Sequence, residues 1–400
     1  MPRSTLVVCP MTQRIQFDGR PVWAEISLAA IAHNLRLIRR TIGRKRKVLA
    51  IVKANAYGLG AVPISKALAR MRTDAFGVTC SQEGIELREA GIREPIVLLT
   101  GFWPGEEQRI LKYKLTPTIA RLEQLRLLER ASSRRRGKGP RRKVPFHLKI
   151  DSGLNRLGIS PQQLGEFVGA YAKCPHLELA GTFTHFASSE DFRTQQNEQQ
   201  ERVFSDALEQ LRVAGVSPGI VHAANSGAIC ARPATWADMV RPGAVLYGYH
   251  QGFEPEEVAA EVRKKFTLRP CLSLRSRIIS LREIALGESV GYSARFVAER
   301  PSRIAVIAAG YADGVVRQRT NRGCVIVKGK LVPLVGAISM DLSMVDVTDV
   351  QNVSVGDVVT IYGSDGNVSV EVDQAARQIG TVTSDLLCAL GRRVPRFYLS

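Results

Sequence analysis

The sequence contains no long apolar run and no paired cysteines. No stretch approaches the roughly 20 apolar residues of a membrane-spanning helix, and the apolar run at residues 6–9 is too short for a secretion signal. The seven cysteines are scattered without a Cys-x-x-Cys pair, which argues against a disulfide framework and against a zinc site. We therefore expect a cytoplasmic protein with reduced thiols and no metal ion.

Acidic residues are also scarce. The chain has 37 Asp and Glu against 56 Lys and Arg, which gives a formal net charge of +19. Such a surface attracts anions, but no zinc-finger or RNP-type signature accompanies it, so nucleic acid is not an expected partner. Positive charge is concentrated at residues 132–143. We interpret this basic loop as a solvated insertion, with an anion-binding loop as the alternative.

Short apolar runs alternate with segments of helical periodicity over much of the chain. The apolar runs lie at 48–53, 75–80, 96–100, 115–119, 146–150, 179–184, 220–223 and 239–247. The helical segments include 64–70, 82–90, 122–130, 161–172 and 195–214. Eight strands that alternate with helices predict an α/β fold, a (β/α)8 TIM-type barrel. A strand at 22–28 and a helix capped by Ser27 come before it.

The pattern changes after about residue 262. Short β-branched runs separated by glycines lie at 272–281, 304–308, 324–327, 332–335, 344–347 and 358–361. They predict an all-β module, with one late helix at 372–379. We therefore predict three parts: an N-terminal leader over residues 1–22, a barrel over 23–262 and a C-terminal β-domain over 263–400.

A lysine ends the first apolar run of the predicted barrel. Lys53 follows the run 48–52, and small residues and Gly58 then turn the chain. An amine at the end of a buried strand is poorly solvated, which lowers its pKa. Such an amine can condense with the aldehyde of a cofactor. The alternative is an ordinary strand-end lysine whose stem lies along apolar surface.

Other polar residues stand where predicted strands end. They are Lys53 and Tyr57 after the first strand, Lys149 and the run 151–156 at the fifth, His185 at the sixth, 225–227 after the seventh and 241–243 in the eighth. Catalysis in such barrels takes place at this face, with phosphate at the last two loops. Ser226 offers a hydroxyl there, and Gly243 lets a phosphate approach the backbone. Each of these residues also has a structural explanation when it is considered alone. His185 could be an ordinary core histidine, and Arg241 could form an ion pair with Asp238.

Nine short motifs are spread along the chain between Trp23 and the C-terminus. They are Val-Lys-Ala-Asn-Ala-Tyr-Gly at 52–58, Leu-Lys-Ile-Asp-Ser-Gly-Leu-Asn-Arg-Leu-Gly at 148–158, Thr-His-Phe-Ala at 184–187, Ala-Asn-Ser-Gly at 224–227, Val-Arg-Pro-Gly at 240–243, Val-Gly-Tyr-Ser-Ala at 290–294, Ala-Gly-Tyr-Ala-Asp-Gly at 309–314, Ser-Met-Asp at 339–341 and Arg-Val-Pro-Arg at 393–396. In sequence and order they resemble the alanine racemase family. The resemblance implies a fold-type III enzyme that uses pyridoxal 5'-phosphate (PLP) and works as a head-to-tail homodimer.

The resemblance also implies two catalytic bases. Lys53 would carry PLP and act as the base on one face of the substrate α-carbon. Tyr292, contributed by the partner subunit, would be the base on the opposite face. One base removes the α-proton and the other returns a proton from the far side, which is what racemisation needs. His185, Arg156 and Arg241 would supply positive charge nearby.

Further roles follow from the resemblance for the cofactor and the substrate. Arg241 would face the pyridine nitrogen and, since arginine stays protonated, would keep the ring a weak electron sink. The remaining cofactor contacts would come from Tyr57, His185, Asn225, Ser226 and Gly243. Arg156 and the backbone N–H of Met340 would bind the substrate carboxylate. A carbamylated Lys149 would orient Arg156.

The sequence departs from the family at three positions. Leu59 stands where histidine is usual, Ser339 where cysteine is frequent and Ser384 where a tyrosine usually reaches the phosphate and narrows the entrance. We expect an enzyme that interconverts L- and D-alanine for peptidoglycan. A serine or broad-specificity racemase is the first alternative, and a non-catalytic PLP carrier is the second. A decarboxylase would need an acidic residue near the pyridine nitrogen, against which Arg241 argues.

Overall fold

The computed structural model describes residues 19–134 and 142–400. Most of the predicted leader, residues 1–18, and the centre of the basic loop, residues 135–141, lie outside the described residues. No helix in the described ranges has the length and hydropathy that crossing a membrane requires.

The first strand, β1 (Val22–Ser27), lies in the C-terminal sheet and not beside the barrel strands. Trp23 lies opposite Arg275 in an antiparallel pair, and Ala24 lies opposite Arg396 in a parallel pair. The segment predicted to open the barrel at residue 23 therefore contributes its first strand to the other sheet. Local sequence indicates a strand here but does not identify its distant partners.

Eight parallel strands form the barrel. They are β2 (Lys47–Ile51), β3 (Ala75–Val78), β4 (Ile96–Leu98), β5 (Thr116–Ile119), β6 (Val144–Lys149), β7 (Leu177–Phe183), β8 (Ile220–His222) and β9 (Met239–Val240). β9 pairs with β2, and two backbone hydrogen bonds, Asp238 N to Val221 O at 3.0 Å and Arg241 N to Ala224 O at 2.9 Å, link β8 to β9. The nearly closed ring confirms the predicted barrel.

The last barrel strand is shorter than predicted. The apolar run 239–247 was expected to be one strand, but only Met239–Val240 is extended, and Ala244–Tyr247 forms a 3-10 turn. Pro242 lacks the N–H that a strand ladder needs, and Gly243 then turns the chain. The predicted strand was too long. A fully buried apolar run has the same hydrophobic pattern in a strand and in a short helix, so the sequence does not distinguish them.

Helices surround the barrel. They are Leu28–Ile42, Ala61–Arg70, Ser81–Glu89, Glu107–Lys112, Leu122–Ser133, Leu164–Tyr171, Gln196–Val213, Ser226–Ala231 and Glu256–Lys265. The first begins as predicted, because the Ser27 hydroxyl oxygen accepts a hydrogen bond from Ala30 N at 3.0 Å. Its apolar side, which includes Ile31, Leu35 and Ile38, is buried.

The C-terminal part is a separate β-sheet, as predicted. Its strands are β10 (Leu272–Ile284), β11 (Ser289–Val290), β12 (Phe296–Val297), β13 (Ser302–Ile307), β14 (Cys324–Val327), β15 (Lys330–Val335), β16 (Ser343–Asp346), β17 (Val358–Asp365), β18 (Val368–Val370) and β19 (Arg396–Leu399). The main sheet has nine strands in the order β18-β17-β14-β15-β16-β13-β10-β1-β19, and β11 and β12 form a small ribbon. Two helices, Val372–Gln378 and Thr383–Cys388, come before β19.

A buried aspartate joins three of the sequence motifs. Asp313 is fully buried and accepts two hydrogen bonds from Arg393, at 2.7 and 3.1 Å. Arg393 also donates to Asp341 at 2.6 Å. A buried carboxylate requires such paired donors. This part of the motif pattern therefore holds the β-domain together.

Candidate active site

A cavity of about 540 Å³ opens at the carboxyl ends of the barrel strands. It collects most of the residues that the sequence singled out. Those lining it are Lys53, Tyr57, Lys149, Arg156, His185, Asn225, Ser226, Arg241, Gly243 and Ser384. Four of them are lysines or arginines, so the cavity favours an anionic occupant.

Lys53 stands at the start of an unusual turn. Ala54, Asn55 and Ala56 have φ values of 51, 54 and 52°, and Tyr57 has 58°. Left-handed backbone costs about 1–2 kcal/mol for each residue that has a Cβ, so the surrounding structure must hold the turn in place. A turn that is held in this conformation fixes the direction in which the neighbouring Lys53 side chain leaves the backbone.

Two side chains from elsewhere in the chain hold this turn. Glu83 accepts hydrogen bonds from Ala54 N at 2.6 Å and from Thr79 N at 2.7 Å. Arg396 donates to Gly58 O at 2.9 and 3.1 Å. Gly58 itself has a φ of 80°, and a Cβ there would lie 2.5 Å from Leu387 O. The turn beside Lys53 is thus fixed by the barrel on one side and by the C-terminal segment on the other.

The Lys53 amine is shifted toward its neutral form. Partial burial lowers its pKa, and the positive charge of Arg156 lowers it further. Much of the lysine side chain nevertheless stays exposed in a single chain. The amine is therefore both accessible and easier to deprotonate than an ordinary lysine.

A small polar cradle lies at the far end of the cavity. Asn225 caps the helix Ser226–Ala231, accepting from Ala228 N at 3.1 Å, and Ser226 Oγ accepts from Gly243 N at 3.0 Å. A Cβ on Gly243 would come within 2.5 Å of Tyr57 Oη. Burial raises the pKa of Tyr57 to about 12, so its hydroxyl is a neutral donor. Glycine therefore leaves room for an acceptor-rich group beside this hydroxyl.

Arg241 is buried, and acceptors surround its guanidinium. Nη1 donates to His222 O at 2.8 Å and faces His222 Nδ1 at 3.1 Å, and Nη2 donates to Thr184 O and Ala223 O, both at 2.7 Å. Burial lowers the pKa of Arg241 to about 9, which leaves it cationic at neutral pH. Nε is the donor that has no hydrogen-bond partner among the described residues.

The suggested pairing of Arg241 with Asp238 does not occur. Asp238 Oδ2 instead accepts from Val221 N at 2.8 Å and helps to close the barrel. Arg241 is thus placed by backbone carbonyls and two histidines, because Nη2 also lies 3.4 Å from His185 Nδ1, and it has no counterion among these contacts.

Lys149 is buried among cations. Desolvation lowers its pKa to about 8, and Arg156 and Arg241 add to the shift, with Asp151 acting in the opposite direction. Its Nζ lies 5.6 Å from the centre of the Phe183 ring. An ammonium is poorly accommodated here, whereas an anion at this position would be surrounded by positive charge.

His185 differs from the sequence expectation in its charge. It was expected to add positive charge, but desolvation lowers its pKa well below its usual value, and the nearby Arg241 and Lys149 lower it further. The imidazole is therefore neutral, and the positive charge of the cavity comes from arginine and lysine.

Tyr292 and Met340 lie outside the cavity. Tyr292 begins a short 3-10 turn in the β-domain, directly after Gly291. Its side chain is 71% exposed and that of Met340 is 53% exposed. Neither lines the cavity of its own chain among the described residues. The structure therefore brings together every predicted site residue except these two.

Ser384 lines the cavity and also a second, adjoining pocket. This pocket, of about 430 Å³, shares Lys53, Tyr57 and Ser384 with the cavity and extends to Val382, Asp385 and Cys388. The other two departures from the family pattern are packed into the fold. Leu59 is fully buried, and Ser339 Oγ bonds to the backbone of Leu342.

Sequence reasoning missed several residues that shape the site. Glu83 holds the turn after Lys53, and His222 contacts Arg241, as described above. Tyr247 donates to Ile51 O at 2.7 Å, at the end of β2. Their signals were weak, because an acidic residue in a first helical turn and a histidine in an apolar strand have ordinary structural explanations.

Comparison with known proteins gives concordant matches over both parts of the chain. Family models described as "Alanine racemase, N-terminal domain" and "Alanine racemase, C-terminal domain" match residues 26–251 and 271–398. An alanine racemase of Geobacter sulfurreducens is 40% identical over 389 residues, which cover 96% of this chain and 98% of that protein.

Solved structures of alanine racemases are also similar to this chain. A biosynthetic alanine racemase from Pseudomonas aeruginosa is 34% identical with a TM-score of 0.83, covering 96% of this chain and 100% of that one. An alanine racemase from Bartonella henselae, described with covalently bound pyridoxal phosphate, is 28% identical with a TM-score of 0.84, covering 95% of this chain and 100% of that one.

Proposed function

The chain belongs to the alanine racemase family, and we propose that it interconverts L- and D-alanine with PLP held on Lys53 and with Lys53 and Tyr292 as the two bases. The observation that carries the proposal is the cavity at the barrel's carboxyl face, where four strand ends contribute Lys53, Arg156, Arg241 and the polar cradle to one space. Enzymes of this barrel type place their chemistry at that face.

The residues present fit PLP in two respects. The cradle of Tyr57 Oη, Ser226 and Gly243 suits a phosphate, since Gly243 leaves open the space that a Cβ would fill. Arg241 Nε suits the pyridine nitrogen, since the terminal N–H groups already have protein acceptors. His185 and Asn225 complete the set of proposed cofactor contacts. When bound, PLP would supply an electron sink that acidifies the substrate α-proton.

Arg241 would limit the strength of that electron sink. Its pKa of about 9 leaves the guanidinium protonated at neutral pH, so it would donate a hydrogen bond to the ring nitrogen without transferring a proton. An aspartate at the same position would favour a protonated ring. Keeping the sink weak favours simple return of the α-proton over side reactions such as transamination.

Lys53 and Tyr292 are proposed to act on opposite faces of the α-carbon. The lowered pKa of Lys53 increases the fraction of neutral amine that can accept a proton at Nζ. Tyr292 Oη would accept or return a proton from the other face. The exposure of Tyr292 and its absence from the cavity of its own chain support its contribution by a second copy, in a head-to-tail homodimer.

Arg156 and Met340 are proposed to bind the substrate carboxylate. Arg156 lines the cavity and offers a charge-assisted contact, while Met340 would offer its backbone N–H from the partner. A carbamate on Lys149, formed when its neutral amine adds carbon dioxide and releases a proton, would orient Arg156. The low pKa and cationic surroundings of Lys149 support this modification.

Serine or a broader set of amino acids is the second candidate substrate. The observation that favours it is the pocket beside Ser384, which gives space next to Lys53 for a side chain larger than a methyl group. A non-catalytic PLP carrier is less well supported, since carriers of this barrel type lack a β-domain. We further propose a cytoplasmic location, in keeping with the six free cysteines among the described residues, and a role in supplying D-alanine for peptidoglycan.

Chemical trapping tests the proposal directly. Borohydride reduction of the PLP-loaded protein, followed by peptide mapping, is expected to place the pyridoxyl group on Lys53. An unreduced sample of the PLP-loaded protein is expected to convert L-alanine into a product that D-amino-acid oxidase consumes. A label on Lys149 or elsewhere, or a loaded protein that does not racemise alanine, would refute the assignment.

A further inference from the structure

A chain of three buried side chains runs across the barrel to Arg241. His147 on β6 lies with Nδ1 3.0 Å from Nε2 of His222 on β8. His222 Nδ1 lies in turn 3.1 Å from Arg241 Nη1. The exposed fractions are 5% for His147, 0% for His222 and 4% for Arg241. Neither histidine has a part in the proposed function so far.

The donors and acceptors determine where the proton of His222 lies. A guanidinium only donates, and three of the four terminal N–H groups of Arg241 point to carbonyl oxygens. The fourth faces His222 Nδ1, so that nitrogen must be an unprotonated acceptor. The imidazole is neutral, since burial and Arg241 lower the pKa of His222 well below its usual value. Its single proton is therefore on Nε2.

The same reasoning extends to His147. The Nε2–H of His222 donates toward His147 Nδ1, so His147 Nδ1 is an acceptor as well. Burial lowers the pKa of His147 to about 4, which keeps this ring neutral with its proton on Nε2. All donors along the chain are thus aligned in one direction, away from Arg241.

The surroundings hold both rings in place. Phe183 stacks on His222 with ring centres 4.7 Å apart and an interplanar angle of 12°, which opposes rotation of the imidazole. Gly181 makes room for His147, because a Cβ there would lie 2.9 Å from His147 Cε1. The neighbouring strand β7 therefore has a glycine at the position where a side chain would collide with this imidazole.

We propose that His147 is a positioning residue that, by accepting the Nε2–H of His222, fixes the His222 tautomer and through it the orientation of the Arg241 guanidinium. Without this acceptor, the His222 Nε2–H would be buried and unpaired, and the preference for this tautomer would fall. The other tautomer would set an Nδ1–H against an Arg241 N–H, and the guanidinium would have to move. The role of Arg241 rests on the proposed function, whereas the His222 tautomer does not.

Nitrogen-15 NMR of histidine-labelled protein reads the tautomer directly, and six histidines make assignment practical. In the native protein at pH 7 we expect His222 to be neutral with its proton on Nε2. His147→Asn keeps an acceptor near the position of Nδ1 and is expected to preserve that signal. His147→Leu has nearly the same shape as asparagine without the acceptor, and it is expected to shift His222 toward the Nδ1–H form.

Kinetics of the PLP-loaded enzyme give a second readout. His147→Leu is expected to lower kcat about 10- to 100-fold, by analogy with the loss seen when orienting partners of metal-binding histidines are removed. The KM for alanine is expected to change little, since His147 does not line the cavity. His147→Asn is expected to recover most of the loss, which a residue that merely fills space would not show.

Several results would overturn the role of His147. A native His222 protonated on Nδ1, or on both nitrogens, refutes it without any variant, so the test stands even if His147→Leu fails to fold. Equal kcat and equal tautomer signals for folded His147→Leu and His147→Asn would also refute it. A native protein with the expected tautomer but no racemase activity would refute the proposed function alone.

Discussion

The barrel cavity and the exposed turn at Tyr292 differ in how completely one chain builds them. In the cavity, Arg241 has acceptors on four N–H groups, and the turn at Lys53 is held from two sides. Tyr292, by contrast, is 71% exposed and does not line this cavity in its own chain. One chain therefore forms the proposed cofactor site, and its second proposed base is left at a surface.

This difference has a physical reason. A cofactor site gains from groups held rigidly before the ligand arrives, and buried polar groups need partners within the same fold. A base contributed across an interface must instead stay exposed until two copies meet. The following predictions test the two regions separately, from the largest expected effect to the smallest.

Removing the cavity lysine is expected to have the largest effect. Lys53→Ala deletes both the proposed attachment point and one proposed base, and a base alone contributes about 10²–10⁴-fold, so we expect kcat to fall by at least about 10³-fold. The absorbance of the bound cofactor and racemisation of L-alanine are the measurements. Lys47→Ala, at the exposed start of the same strand, is the matched control. Retained activity in Lys53→Ala would remove this residue from the mechanism.

Tyr292→Phe is expected to separate the two regions. It removes one hydroxyl outside the cavity, so we expect kcat to fall about 10²–10⁴-fold while the PLP dissociation constant stays unchanged. Equilibrium titration of the apoprotein with PLP and steady-state kinetics are the measurements. Tyr113→Phe, which also lies outside the cavity, is the control. A weakened affinity for PLP with intact kcat would place Tyr292 in cofactor binding instead.

The lowered pKa of Lys149 predicts that the stability of the folded chain depends on pH. Its pKa is about 8 in the folded chain against 10.5 for an ordinary lysine, so between these values the unfolded state binds more protons. The free energy of unfolding should therefore rise with pH across this window, by about 3 kcal/mol at about 1.4 kcal/mol per pKa unit. Below pH 8 the full penalty of the buried ammonium remains.

Urea unfolding of apoprotein in carbon dioxide-free buffer measures this effect. The native chain is expected to gain stability from pH 8 to 10.5 relative to Lys149→Met, which has no titrating group at this position. Lys143→Met, at an exposed position before β6, should follow the native curve. Bicarbonate is expected to stabilise the native chain and not Lys149→Met. Parallel native and Lys149→Met curves would show that Lys149 is not a destabilised ammonium.

Ser384→Tyr is expected to give the smallest effect. The ring would fill space between the cavity and the adjoining pocket, so the ratio of serine to alanine kcat/KM should fall by an amount equivalent to about 1–3 kcal/mol. Val382→Tyr adds the same ring in the adjoining pocket without lining the cavity, and it controls for bulk. If Ser384→Tyr leaves both this ratio and the PLP dissociation constant unchanged, Ser384 does not determine substrate size.

The sequence predicts the cavity well because polar residues at strand ends have a geometric meaning in a barrel. Lys53, Lys149 and His185 follow separate strands, and closing the ring brings them together. The left-handed turn was not predictable, since it depends on Glu83 and Arg396 from distant parts of the chain. Local pattern also does not identify the partners of a strand.

The two buried histidines were missed for a related reason. His147 and His222 lie in apolar strands, where a lone histidine is most often a core residue, and only their separation of 3.0 Å shows that they act as a pair. Tyr292 is the reverse case. Its motif is evident in the sequence, but within one chain its side chain does not line the cavity.

Subunit complementation tests most directly whether the second base comes from another copy. Inactive Lys53→Ala and Tyr292→Phe chains are mixed under conditions of verified subunit exchange. Half of the dimers are then mixed, and each mixed dimer keeps one complete site, so we expect about a quarter of native activity. Each variant treated alone should stay inactive. No recovery after exchange would contradict a shared site and require both bases to come from one chain.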